Sequence, residues 1–162
     1  MSSQKQRKRI DFIQELFENN PQLFNHSKIP EIKSKGENRV VAVLPLNYHN
    51  IYGETVLRIN ELYNESDNIK EYRYAWEYPD LKGIKKRSKH KRHITSFDKQ
   101  EHPEPPWNVD TDPFHHHNVP GNTSLRTETS IKTLEDVVTI FTDYIVSHNR
   151  FMESHIFYYE EL

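Results

Sequence analysis

The sequence predicts a single α+β domain: an antiparallel sheet of about four to six strands, with an N-terminal helix and a long C-terminal helix packed on it. Two patterns predict it. Aromatic residues alternate with other residues at period two in the middle of the chain, and apolar residues recur at helical spacing near both ends. The 162 residues are enough for one core and leave little room for a second. We divide this domain, 1–162, into a helix and connector (1–38), a sheet with a basic loop at 82–92 (39–119) and a C-terminal helix (120–162).

The composition excludes several classes of protein. The chain has no cysteine, which rules out a disulfide framework, a thiolate metal site and a cysteine nucleophile. It shows no signal-peptide pattern and no apolar run near the roughly 20 residues that a membrane helix needs, so we expect a cytoplasmic protein without a membrane partner. The net charge is only -2, but every charged residue from Lys82 to Arg92 is basic, which predicts one locally positive face.

The first third of the chain predicts a helix, a connector and a strand. Apolar residues at helical spacing over 6–19 indicate an amphipathic helix that ends at Asn20-Pro21. The polar stretch 25–38, with Pro30 and Gly36, is interpreted as a connector. The β-branched run 39–46 then predicts a strand.

The middle of the chain predicts a hairpin. Segments 55–63 and 69–78 read as strands joined by a short polar turn. In the second, aromatic rings occupy every other position: Tyr72, Tyr74, Trp76 and Tyr78. Such alternation is typical of a sheet face that is buried, although exposed rings would form a surface on which bases stack.

The last part of the chain predicts two more extended pieces and a helix. A strand is expected over 93–100, followed by a proline-broken loop and a short extended piece at 114–119. Thr133 is a plausible N-cap, and the residues after it form one apolar stripe: Leu134, Val137, Val138, Phe141 and Ile145.

Five of the ten histidines lie between His93 and His117, with Asp98, Asp110 and Asp112 among them. Strand alternation places Asp98 on the face opposite His93 and Phe97. By the same rule His115 and His117 share a face and His116 lies on the other. An aspartate with two imidazoles suits either acid–base cleavage of a phosphodiester or a divalent-metal site. A histidine-rich loop also occurs as solvated surface that binds metal adventitiously.

At these residues the sequence resembles the TumE family of toxins. The motifs that carry the resemblance are Tyr72-Arg73-Tyr74, Phe97-Asp98, His102-Pro103, the stretch Pro113 to Val119, and Thr133 to Val138. They span roughly the last two thirds of the chain. The sequence departs from the family pattern in three places. The family's Pro-His-His element appears as Glu101-His102-Pro103, and Asn118 stands where the family's later histidine motif ends in histidine. The basic run is an insertion. The resemblance implies a prokaryotic toxin neutralised by a cognate antitoxin protein, with site residues at Asp98, His115, His117 and His102; self-association is left open.

The leading hypothesis is a His/Asp acid–base ribonuclease that needs no cofactor. His115 and His117 would exchange protons, Asp98 would orient one of them, and Arg126 would stabilise phosphate charge. His102 is included in the same catalytic set. The RNA backbone would lie on the basic residues Lys85, Lys86, Arg87, Lys89 and Arg92. Two alternatives stay open. One is a non-enzymatic module that binds nucleic acid or protein. The other is a divalent-metal-dependent hydrolase that uses His115, His117 and Asp112, or Asp98 in place of Asp112.

Overall fold

The computed structural model describes residues 3–80, 89–100, 109–117 and 119–151, with the backbone alone at 89 and 90. Their helices and strands are α1 Gln4–Asn19, β1 Glu31–Lys35, β2 Arg39–Pro45, β3 Val56–Tyr63, β4 Ile69–Glu77, α2 Lys89–Arg92, β5 His93–Lys99, β6 Phe114–His117 and α3 Leu134–Ser147. The six strands of this part of the chain form one sheet in sequence order, and each pairs antiparallel with the next. The α+β prediction is confirmed. In the described ranges no helix has both the length and the apolar character needed to span a membrane.

The predicted connector at 25–38 is wrong in one part, because it contains the edge strand β1. Glu31–Lys35 pairs with β2 through a turn in which Gly36 takes a φ of +62°. Only Ile32 in this strand is a large apolar residue, and no residue of the strand is fully buried. Charged side chains on an edge strand discourage pairing with other chains, and they also remove the apolar alternation by which strands are recognised.

Helices α1 and α3 form where the sequence predicts the N-terminal and C-terminal helices. Ser3 and Gln6 make a capping box at the start of α1, and Ile13 and Phe17 are buried. Thr133 caps α3 by accepting a hydrogen bond from the Asp136 amide at 3.1 Å. At 14 residues α3 is shorter than the long helix expected within 120–162, and residues 152–162 lie outside the described ranges.

Both helices cover the same face of the sheet. Phe141 of α3 packs against Trp76 and Phe97, with ring centroids 5.8 and 6.3 Å apart, and Ile13 of α1 belongs to the same core. Tyr72, Tyr74 and Trp76 point into this core and are almost fully buried, as the alternation predicted. They therefore offer no exposed surface for base stacking. The opposite face is free of helices α1 and α3 and carries the polar residues described next.

Candidate functional site

The site lies on the sheet face opposite α1 and α3, where β5 pairs with β6. Asp98 is directly opposite His115, and Ser96 is opposite His117. His116 points to the core face and stacks on Phe97 at 4.2 Å. The predicted sorting of the three consecutive histidines is confirmed: strand alternation delivers the first and third to one carboxylate and buries the second in the core.

Two imidazoles converge on one oxygen of Asp98. Its Oδ2 atom lies 3.6 Å from Nε2 of His117 and 3.9 Å from Nε2 of His115, and the rings stand at 87° with centroids 4.9 Å apart. Nδ1 of His117 donates to the carbonyl of Leu125 at 2.8 Å. Because that bond occupies Nδ1, it is Nε2 that faces the carboxylate.

The protonation states follow from burial and charge. Burial lowers the pKa of the fully enclosed His115 to about 4, although the Asp98 carboxylate opposes this, so His115 is neutral at pH 7. Burial raises the pKa of Asp98, but His117, Arg73 and His115 outweigh it and hold that pKa below its ordinary value. The centre therefore combines an ionised carboxylate with at least one neutral imidazole.

Several buried atoms of this centre have no hydrogen-bond partner among the described residues: Asp98 Oδ1, Asp112 Oδ1, and both ring nitrogens of His115. Asp112 Oδ1 lies 3.4 Å from Nδ1 of His115, while its Oδ2 accepts from the Val109 amide at 2.6 Å. Most buried polar atoms in proteins are paired. Such a concentration of unpaired ones indicates a place for a polar group that the described residues do not supply.

His93 belongs to this face, contrary to the prediction that it lies with Phe97. The pairing of β4 with β5 shifts register between Trp76 and Glu77, so Glu77 pairs with His93 and Ile94 is passed over. This bulge reverses the alternation. The His93 ring consequently lies 6.3 Å from that of His117, and burial together with Arg73 lowers its pKa to about 4.

Arg73 is a second residue that the sequence analysis did not single out. It sits opposite Asp98 on β4, and its Nη2 donates to Nδ1 of His93 at 3.5 Å. Its position in the Tyr-Arg-Tyr element, between two core-facing rings, was the available signal. Arg126 bonds Gln100 at 3.2 Å and its charge acts on His115, which places it beside the centre.

The structure does not describe most of the remaining predicted residues. His102, Lys85, Lys86 and Arg87 lie outside the described residues, and Lys89 is described by its backbone alone. Arg92 donates through Nε to Glu77 at 2.9 Å, so it is tied to β4.

A comparison with protein families gives a match over most of the chain. The family model of Toxin TumE matches residues 13–149, a range that includes every described strand, helix α3 and the whole His/Asp centre. No curated protein and no solved structure gave a significant match. The chain therefore belongs to the TumE family of toxins, as its motifs indicated, which makes it the toxin component of a toxin–antitoxin pair with an antitoxin as its partner.

Proposed function

We propose that this toxin cleaves RNA by acid–base catalysis at the centre formed by Asp98, His115 and His117. One observation carries the proposal. An ionised carboxylate faces two imidazoles that are held in different environments, one enclosed and neutral, the other bonded through Nδ1 to a carbonyl. A pair of imidazoles in different states is what proton transfer to and from a phosphodiester requires.

The roles follow from these environments. His115, neutral at pH 7, is the base that takes the proton from the ribose 2′-hydroxyl. The 2′-oxygen then attacks phosphorus, the bond to the 5′-oxygen breaks, and His117 gives its Nε2 proton to that leaving oxygen. Asp98 orients the His117 ring, because its Oδ2 lies 3.6 Å from that nitrogen. Each proton transfer contributes about 10²- to 10⁴-fold to such a reaction.

A metal-dependent hydrolase is the second candidate. Asp98, His115 and His117 each offer a ligand atom within 4.8 Å of the others. The remote ring nitrogens face the Leu125 carbonyl and Asp112, an arrangement typical of metal-ligating histidines. One of the predicted metal sets used Asp112 where this set uses Asp98. Asp112 instead contacts the Nδ1 side of the His115 ring. Divalent transition metals suit such a set. A bound cation would then take over the catalytic role that proton transfer by the two imidazoles has in the first candidate.

Turnover of one labelled RNA and its DNA analogue in EDTA tests the two candidates. Acid–base cleavage continues in EDTA, spares DNA because it lacks the 2′-hydroxyl, and falls on the acid side as His115 takes up a proton near pH 4. Cleavage that stops in EDTA and returns with Mn²⁺ or Zn²⁺ would replace the first candidate by the second. A protein that binds RNA and never shortens it, with or without metal, contradicts both and leaves a binding module.

A further inference from the structure

One row of side chains crosses the whole sheet face opposite α1 and α3 and ends at the centre. Successive cross-strand partners place these residues side by side, from β1 to β6: Lys33, Val41, Asn60, Arg73, Asp98 and His115. Directly opposite residues of antiparallel strands share a face, and strands lie about 4.8 Å apart. The row is therefore about 24 Å long.

A hollow of about 710 Å³ lies over this row on strands β1 to β4. We call it the arginine trough and define it by its basic lining residues: Lys33, Lys35, Arg58, Arg73 and Arg92. Glu31 and Asp80 also line it. Arg73 belongs both to the trough and to the centre, because it contacts His93 and pairs opposite Asp98. The two features are thus continuous.

The trough carries surplus positive charge. The guanidiniums of Arg58, Arg73 and Arg92 all bind the Glu77 carboxylate, at 2.8, 2.7 and 2.9 Å. Glu77 is fully buried beneath them, whereas the three arginine side chains stay 16 to 23% exposed. Counting Glu31 and Asp80 as well, three acids face five bases. Fixed guanidiniums of this kind suit phosphate oxygens, which they contact with little loss of side-chain freedom.

We propose that the arginine trough holds the sugar–phosphate backbone of single-stranded RNA and leads it to the Asp98 centre; this rests on the proposed function. A single strand rather than a duplex suits the proposed reaction, because the 2′-oxygen must line up with the bond that breaks and a base-paired backbone hinders that alignment. The described aromatic residues of β4 are buried on the other face, so recognition here is by charge and independent of sequence. The trough, not only the basic loop at 82–92, then supplies phosphate contacts.

The test uses a fluorescent RNA strand and a His117→Asn background that does not cut it. Lys33→Gln with Lys35→Gln removes two charges from exposed positions of the edge strand. We expect weaker binding and, at about 0.7 per phosphate contact, a salt slope reduced by about 1.4. The matched control is Arg7→Gln with Lys8→Gln, which removes two exposed charges from α1 on the opposite face. It should leave the affinity and the slope nearly unchanged.

Three results would contradict the trough proposal: an equal loss of RNA affinity in both double variants, no loss of affinity in the trough variant, or equal competition for binding by duplex RNA. Binding of polyglutamate in preference to RNA would also overturn it and assign this face to an acidic protein partner. Cleavage of a dinucleotide, which is too short to reach the trough, separates the two proposals. If the parent and the lysine variant both cut the dinucleotide and also bind longer RNA equally well, the trough proposal is wrong and the ribonuclease proposal stands. If no RNA is ever cut but the lysine variant alone binds it weakly, the trough stands and the ribonuclease fails.

Discussion

Asp98 and His115 lie directly opposite each other on β5 and β6, so that backbone pairing places their side chains next to each other on one face of the sheet. The same pairing brings His117 within 3.6 Å of the same carboxylate. Because both histidines are strand residues and His115 is fully buried, truncating them to alanine would leave cavities in the sheet. Amide side chains keep most of the volume and remove only the titrating group.

We expect expression without the antitoxin to arrest growth, and we expect His115→Gln and His117→Asn, singly and together, to relieve that arrest. Loss of either proton-transfer group should lower RNA cleavage by about 10²-fold or more. The double variant should be little worse than the worse single one, because the two residues act as a unit. Colony counts and cleavage of labelled RNA measure the two effects.

His26→Gln is the control, since His26 is exposed, lies away from the centre and bonds the Phe17 carbonyl. It should stay fully toxic. Circular dichroism and thermal melting establish that the site variants are folded. Folded variants that remain as toxic as the parent would remove His115 and His117 from the mechanism.

The sequence predicts those parts of the fold whose signal is local. Aromatic alternation located β4 and its buried face, and apolar spacing located both helices, because burial on one side imposes those periods. The edge strand β1 was missed because its exposed charges leave no such period. The end of α3 at Ser147 also has no breaker: His148 ends the helix in the left-handed region at a φ of 55°, without a glycine or proline.

The candidate site shows the same division between features with a local sequence signal and features without one. Alternation predicted that His115 and His117 share a face, because it is a local rule within one strand, and the resemblance grouped both with Asp98. His93 was placed on the wrong face because a one-residue bulge reverses that rule, and nothing in the sequence marks it. The trough required knowledge of which strands are neighbours: Lys33 and Arg73 are distant in sequence and meet only through the strand order.

We expect Glu77→Gln to destabilise the fold strongly. Glu77 is fully buried and binds three guanidiniums, so the neutral amide leaves their charges uncompensated, at a cost of about 3–5 kcal/mol at pH 7. Burial raises the pKa of Glu77, but Arg73 and Arg58 outweigh it and hold that pKa below its ordinary 4.5. Its stabilisation is therefore present above that value and is lost as the pH falls below it. Urea unfolding across this range should show a steeper acid loss in the parent than in the variant.

The matched control for that change is Glu54→Gln, because Glu54 pairs with Lys28 at the surface and is 62% exposed. Exposed ion pairs contribute little, so its free energy of unfolding should move by less than about 1 kcal/mol. An equal and small effect of both substitutions would mean that the three arginines do not depend on Glu77.

The last prediction concerns His93, whose role we place in positioning Arg73. Nδ1 of His93 accepts from the Arg73 guanidinium, and Oδ1 of an asparagine occupies nearly the same place, whereas leucine, which fills most of the volume of the buried ring, offers no acceptor. We expect His93→Leu to raise KM for RNA by about tenfold with kcat little changed, since a hydrogen bond to a charged group is lost while the imidazoles of the centre stay. His93→Asn should restore most of that loss. If His93 instead exchanged a proton with the substrate, both variants would lose kcat alike, and the asparagine would rescue nothing. Steady-state cleavage of one RNA by the two variants, compared at the same ionic strength, therefore separates positioning from chemistry.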